Sequence, residues 1–525
     1  MTRPFERSVQ LASLRALDFE VLVIGGGASG LGIAVDAVSR GYRTALIEAH
    51  DFAKCTSSRS TKLVHGGVRY LEQMQFALVK EALEERAILC ANAPHLAHDL
   101  AFVVPKFHWW EGPFYGAGLK LYDALAGKHS FGKSRSLSRE ETMRAIPGIR
   151  EDGLLGGIEY HDAQFDDARM ALALARTAAT LGASVVNRVR CIGLLKEEGQ
   201  INGAEVRDEE SGQTFKVRAT IVINATGVFA DELRQVDDAA AKPSLEPSRG
   251  VHIVLPRRFL PADHAIMVPH TDDGRVLFVI PWHGRTLVGT TDSEVKDVDV
   301  EPRATAEDIE FILRNAGRYL AETPTHADIL SVFAGLRPLA RPSEDKSSKR
   351  VSREHAIEVS ASGLVTVTGG KWTTYRRMAE DVVAVAMETA GLEVGVCTTE
   401  TLHLHGFDLE AGLEAGLPDP RRMYGSDRLE LEKIERADRF HAAPMHPNLP
   451  VTQSEVIFAV RSEMARSVDD VLSRRTRSLL LDARAAIEIA SETARVMGRE
   501  LGWSDAQCAA SAAEFVAIAR GYLPG

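Results

Sequence analysis

Residues 18–48 constrain this chain more than any other stretch. Asp18-Phe19-Glu20-Val21-Leu22-Val23-Ile24 is apolar and β-branched, as a buried parallel strand requires. It runs straight into Gly25-Gly26-Gly27-Ala28-Ser29-Gly30, a G-x-G-x-x-G pattern with glycines at 25, 27 and 30. Residues 31–40 have helical spacing, Gly41 is placed to end that helix, and a second apolar run, 44–47, finishes at Glu48. This is a βαβ unit with a chemical purpose at each turn position. Gly25 permits the tight turn, Gly27 lets a pyrophosphate approach the backbone, and Gly30 lets helix and strand pack closely. Ala28 and Ser29 open the helix, whose free N–H groups favour phosphate. Glu48, eighteen positions after Gly30, is placed to accept hydrogen bonds from a ribose. A glycine turn that only joins a strand to a helix is the alternative. The strand before, the helix after and the acid together argue for a dinucleotide.

A second motif decides which one. Residues 219–227 read Ala-Thr-Ile-Val-Ile-Asn-Ala-Thr-Gly, a buried strand closing in Ala225-Thr226-Gly227. This ending resembles the A-T-G signature of two-dinucleotide-type flavoproteins, and together with the first glycine motif it favours FAD over NAD. Between them, residues 51–71 form a polar loop rich in hydroxyls: Thr56, Ser57, Ser58, Ser60 and Thr61, then Lys62, His65, Gly66, Gly67, Arg69 and Tyr70. Here the chain resembles the FAD-dependent glycerol-3-phosphate dehydrogenases, whose pattern runs close to GTSSxSTKLxHGGxRYLE. The likeness continues through Gly156 to Arg169, Ile280-Pro281-Trp282, Gly289 to Asp292 and Gly369-Gly370-Lys371-Trp372-Thr373-Thr374. One departure is visible: Cys55 stands where the family usually has glycine, and a positive φ there would strain it.

The resemblance implies roles. Thr56, Ser57, Ser60, Thr61, Lys62, His65, Gly66 and Gly67 would wrap the flavin. Val189 would meet the adenine, Ala225 and Gly227 the phosphates, and Gly335, Gly370, Lys371, Thr373 and Thr374 the flavin ring. Arg69, Arg337, Arg353 and Lys371 fall on the family's substrate positions, where a phosphate dianion needs several charge-assisted donors. Tyr70 would assist Arg69. His252 and Arg337 would be catalytic, His252 as hydrogen-bond partner of the hydroxyl being oxidised. The implied reaction is oxidation of sn-glycerol 3-phosphate to dihydroxyacetone phosphate, with electrons passed to a quinone. A glycerol-3-phosphate oxidase using oxygen is the nearer alternative, and a non-catalytic flavin-binding module the more distant one. The insertion often found near the 249–291 sheet of the peroxide-forming oxidases is not apparent, which favours quinone.

Length, charge and composition bound the rest. With 525 residues, two or three domains are expected. The implied fold is α/β. A two-dinucleotide-type FAD-binding domain (18–80, 165–245, 330–393) is interleaved with an antiparallel-sheet substrate domain (81–164, 246–329). An all-α cap domain, 395–525, follows. A net charge of −11 argues against nucleic acid, and five cysteines without paired spacing read as reduced thiols. His403 and His405 do not read as a metal pair, and no metal is implied. No apolar stretch is long enough for a membrane span and no signal peptide is evident. The quinone acceptor that the resemblance implies then places a cytoplasmic protein peripherally on the inner face of the cell membrane, with a homodimer as a further expectation. Trp109-Trp110 reads as core rather than membrane interface. Arg474-Arg475-Thr476-Arg477 reads as a solvated face or helix-end charge rather than a lipid contact. Asp166 or Asp167 reads as a helix cap rather than a catalytic acid.

Overall fold

The computed structural model describes residues 5–341, 349–351, 355–407 and 420–524. The strand Phe19–Ile24 lies at the heart of a sheet ordered 349–351, 355–359, 365–369, 214–224, 19–24, 44–47, 184–186. Its neighbours Thr214–Asn224 and Thr44–Ile47 both run parallel to it. Both faces of this strand are covered, which accounts for an unbroken apolar run. On one face pack the helices Ala28–Ser39, Asp167–Thr180 and Tyr375–Ala390, burying Val21 and Val23 among Ile33, Leu174 and Val383. On the other, Leu22 and Ile24 meet Ala204, Val206 and Val217 from an antiparallel meander, Val189–Glu197, Gln200–Asp208 and Thr214–Asn224.

The second sheet holds the alternating strands read from the middle of the chain. Leu245–Pro256, Arg285–Gly289, Leu277–Trp282 and Ala265–Val268 pair antiparallel in that spatial order. Ala97–Lys106 joins them in parallel and then pairs with Gly156–Phe165. Ser331–Ala340, which the sequence division groups with the flavin segment, pairs antiparallel with residues 245–254 of Leu245–Pro256 and so belongs to this second sheet. Leu63–Val64 of the flavin loop also pairs there, against Ala163 and Gln164, and stitches the two sheets together.

The C-terminal segment is helical, with Arg428–Ala437, Gln453–Ser462, Ala483–Leu501 and Asp505–Ala519, plus one small hairpin, Pro444–His446 with Leu449–Thr452. Two local readings need correction. Trp109 is 83% exposed and Trp110 40%, so the pair is not core. Conversely Arg474, Arg475 and Arg477 are buried, so the run is neither a solvated face nor a lipid contact. In both cases the chain nearby has the composition expected of the opposite environment. His403 stacks on Phe407 while His405 faces Asp427, so the two imidazoles serve different partners.

Candidate functional site

A cavity of about 390 Å³ opens where Phe19–Ile24 and Thr214–Asn224 end. Gly25, Gly27, Glu48, Thr56, Ser57, Val189, Ala225 and Gly227 all line it. The turn is built for close approach. Gly25 has φ +118°, and a Cβ there would collide with the carbonyl oxygen of Ala225. A Cβ on Gly30 would strike the Gly25 carbonyl. The Ala28 N–H donates to Ser57 Oγ at 2.9 Å, which ties the helix start to the hydroxyl-rich loop. Glu48 receives the N–H of Gly26 at 2.6 Å and of His50 at 2.8 Å. Loss of water raises its carboxyl above the ordinary value, against those two donors.

Three segments far apart in sequence converge beside the cavity. Thr56 Oγ1 donates to the carbonyl of Leu336 at 2.6 Å, and Trp372 Nε1 to that of Ser57 at 2.9 Å. The His65 N–H reaches Thr373 Oγ1 at 3.3 Å. Gly369 and Gly370 carry φ of +76° and +79°, a left-handed pair that turns the strand Val365–Gly369 towards the helix from Tyr375. Lys371 Nζ bonds the Tyr70 hydroxyl and lies 4.0 Å from that ring's centroid. Cys55 has φ −94°, outside the left-handed region that favours glycine; the non-glycine left-handed residues of this loop are Ala53, at φ +57°, and Lys62, at φ +64°.

His252 projects from Leu245–Pro256, flanked in register by Gly289 and Phe333. Its ring stacks on Phe333 at 4.9 Å, and Nε2 lies 2.9 Å from Thr61 Oγ1. Nδ1 is buried with no hydrogen-bond partner among the described residues. Burial, helped by the nearby charges of Lys62 and Arg337, holds the imidazole pKa well below its ordinary value. Arg337 donates to Asp292 at 3.0 Å, to Thr290 Oγ1 at 3.1 Å and to the Thr291 carbonyl at 3.0 Å. The side chain of Arg69 is not described, and Arg353 lies outside the described residues.

Beneath the loop runs a layer of charge that the sequence reading missed. Lys62 has its ammonium on Asp167 Oδ2 at 2.6 Å and on the Ser58 carbonyl at 2.8 Å. Burial pushes that ammonium down to about 7. Asp167 Oδ2 also takes the N–H and hydroxyl of Ser60, while its Oδ1 takes Arg477 Nη2 at 2.7 Å. Asp166 caps the helix by accepting from the Arg169 N–H. The Asp-Asp pair therefore divides its work: one carboxylate caps a helix and the other anchors the loop. Asp51, at the loop's start, is gripped by Arg474 Nε at 2.6 Å and by both terminal nitrogens of Arg475. Those two guanidinium groups hold its carboxyl far below the usual range.

Comparison with known proteins decides what the cavity belongs to. Residues 20–376 match the FAD dependent oxidoreductase family and residues 397–508 the C-terminal domain of alpha-glycerophosphate oxidase. The mitochondrial glycerol-3-phosphate dehydrogenase of Rattus norvegicus is 40% identical over 96% of this chain and 73% of its own. The chain belongs to the FAD-dependent glycerol-3-phosphate dehydrogenases. Glycerol-3-phosphate dehydrogenase 2 of Mycobacterium bovis is 39% identical, covering 98% of this chain and 90% of its own. A solved glycerol-3-phosphate dehydrogenase from Bacillus halodurans, complexed with FAD, superposes with a TM-score of 0.79 at 28% identity, covering 100% of this chain and 99% of that one. FAD is thus the cofactor of this dehydrogenase. The glycine turn that no side chain can fill and the cavity at two parallel strand ends fit its pyrophosphate and adenosine half. Ala49, His50, Cys191, Phe229 and Glu232 also line that cavity. No sequence motif marks them; only the sheet order brings them there.

Proposed function

We propose that this glycerol-3-phosphate dehydrogenase oxidises sn-glycerol 3-phosphate to dihydroxyacetone phosphate and hands the electrons to a membrane quinone. The observation that carries the site reading is the neutral, buried His252 beside Arg337, on the sheet that faces the converging loops. FAD, when bound, supplies the acceptor for the C2 hydride. Gly25, Gly27, Ala28, Thr56, Ser57, Val189, Ala225 and Gly227 would hold its adenosine and pyrophosphate half. The Thr61–Gly67 loop, Gly335 and the Gly370–Thr374 turn would hold the ring.

The protein groups divide the remaining work. Arg337 and Lys371 would bind the substrate phosphate, and the rigid fork of Arg337 is already oriented by Thr290 and Asp292. Arg69 and Arg353 remain assigned to the same role by resemblance. His252 has one ring nitrogen on Thr61 and the other buried with no hydrogen-bond partner among the described residues. An uncharged imidazole with a free buried nitrogen suits receiving the hydroxyl proton. The quinone assignment draws support from the absence of an evident oxidase-type insertion and from the exposed Trp109 and Trp110. No helix among the described residues is long and apolar enough to cross a membrane, so attachment would be peripheral.

The test is anaerobic addition of glycerol 3-phosphate to the flavin-loaded protein while the oxidised-flavin absorbance is followed. Bleaching, then reoxidation faster with a quinone analogue than with air, is the expected result. Rapid reoxidation by air would assign the oxidase activity instead. Persistent yellow colour would rule out this substrate.

A further inference from the structure

Side chains alternate along a strand, so Leu245–Pro256 presents Ser248, Gly250 and His252 on one face. Arg337 pairs in register with Ser248 and spreads its guanidinium over Gly250, where a Cβ would stand 2.4 Å from Nη2. His252 is the next residue along that face. The cation assigned to the substrate phosphate and the imidazole assigned to the reacting hydroxyl are therefore neighbours.

That guanidinium is already engaged at both ends. Nη2 donates to Thr290 Oγ1 at 3.1 Å and to the Thr291 carbonyl at 3.0 Å. Nη1 donates to Asp292 Oδ1 at 3.0 Å and to Ser248 Oγ at 3.4 Å. Of the five N–H donors of this fork, only Nε–H has no acceptor among the described residues. A phosphate gripped by two parallel donors therefore requires one acceptor to leave. The Thr291 carbonyl is backbone, and Thr290 Oγ1 is itself tied to that carbonyl at 3.1 Å. Asp292 is the acceptor that can turn away, since its side chain is 41% exposed.

A second cation stands on the far side of Asp292. Arg275 Nη1 donates to the Asp292 carbonyl at 2.6 Å and lies 3.5 Å from Oδ2, the carboxylate oxygen that Arg337 does not hold. Its Nε lies 3.4 Å from Asp273. Thr271 closes the turn that carries it: Oγ1 accepts the Arg275 N–H at 2.9 Å and donates to the Arg275 carbonyl at 2.6 Å. Asp292 thus sits between two guanidinium groups, with one oxygen towards each.

We propose that Asp292 occupies the phosphate's place on Arg337 while the site is empty and turns to Arg275 when a phosphate dianion enters. The inference rests on the reading of Arg337 as a phosphate-binding residue and adds what selects the ligand there. Every incoming group is measured against a carboxylate already bound. A neutral polyol has no charge with which to displace it, and a monoanion restores no more than it removes. A dianion gains more from Arg337 and Lys371 than the carboxylate gives up. Arg275 keeps the displacement cheap, because the evicted carboxylate passes from one cation to another. Thr290 and Thr291 keep the fork oriented after it leaves. Preference for a phosphorylated over an unphosphorylated polyol then comes from a side chain that does not touch the bound substrate.

The test is calorimetric titration of the flavin-loaded protein with inorganic phosphate, at a pH where phosphate is a dianion, with bleaching by glycerol 3-phosphate measured on the same proteins. Asp292→Asn keeps the shape and removes the charge. It should bind phosphate about three- to tenfold more tightly than wild type and lower the KM for glycerol 3-phosphate. A residue that only braced Arg337 would have the opposite sign. Arg275→Gln should weaken phosphate binding by a similar factor and lose most of that effect when combined with Asp292→Asn, since no carboxylate then needs a receiver. A crystal structure of the wild-type holoenzyme with phosphate gives a reading independent of variant folding: Asp292 should be on Arg275, with phosphate on Arg337. Weaker phosphate binding by Asp292→Asn, an undiminished Arg275 effect without Asp292, or Asp292 still on Arg337 beside bound phosphate overturns the inference. Bleaching by glycerol 3-phosphate in those proteins would leave the activity reading standing. Tighter phosphate binding by Asp292→Asn without any bleaching would remove glycerol 3-phosphate as the substrate and keep Asp292 as the guard of an anion site.

Discussion

At position 252 burial sets the chemistry before any substrate arrives. An imidazole 2% exposed between Phe333 and Gly289 cannot be charged cheaply, and its neighbours Lys62 and Arg337 are both cationic. On the proposed mechanism, His252→Ala lowers kcat/KM by about 10²- to 10⁴-fold, with flavin content unchanged. Stopped-flow bleaching and the visible spectrum of the purified variant separate the two quantities. The acid limb of wild-type kcat/KM should fall below the ordinary imidazole value of 6.5, because the shift is downward. Position 55 gives the opposite kind of prediction. With φ −94°, Cys55 lies outside the left-handed region that favours glycine. Cys55→Gly should therefore leave flavin retention intact and cost about 0.4–1 kcal/mol by freeing the unfolded chain, read by denaturant titration. A marked gain in flavin affinity would show that the loop needs a glycine after all.

Among the elements, the turn Asp470–Arg475 and the residues after it do the most to join the molecule. This π-helical turn aims Arg474 and Arg475 at Asp51, and Arg477, at φ +61°, reaches Asp167 and the Ser58 carbonyl. The helical C-terminal domain thus grips the loop proposed to hold the flavin. Removing Asp51 strands the buried guanidinium of Arg475, so Asp51→Ala should cost about 3–5 kcal/mol. Arg461→Ala removes the half-exposed pair with Glu500 and should cost under about 1 kcal/mol. Thermal melts of the two variants, run side by side, check the contrast. Equal effects would mean that the buried network carries no net stability.

For the whole molecule, the pH response follows from groups held in the wrong state for acid. His95, buried where the first helical layer meets the C-terminal segment, has its value lowered to about 3, burial first and Arg169 second. Unfolded, it titrates near 6.5. Between those values the unfolded chain binds the extra proton, so stability falls as pH drops below 6.5. His252 shifts in the same direction. Glu85 and Glu455, raised by burial, oppose the loss at the acid end. Asp51 and Asp469, lowered by their arginines, add to it below their ordinary values. Melting temperature should therefore decline from pH 6.5 towards 4, and His95→Gln should flatten that decline. An unaltered slope would remove His95 from the account.

The flavin-binding βαβ unit was legible because its signal is local. Apolar runs, glycine spacing and a terminal acid are adjacent in sequence, and the strand, turn and helix form where those residues stand. The alternating strands of the second sheet were legible for the same reason, since a two-residue period is a property of the strand itself. The sequence also supplied the family, through motifs whose residues line or border one cavity. What it did not supply were the environments of charged and aromatic side chains. Arg474 finds Asp51 423 positions away and Arg477 finds Asp167 310 away, so a basic run that looks solvated is interior. Trp109 and Trp110 look like core, yet among the described residues Trp109 is left 83% and Trp110 40% exposed. Burial of a side chain is decided by which distant segment packs on it, and no local period encodes that partner. The sheet order and the docking of the C-terminal helices decided it.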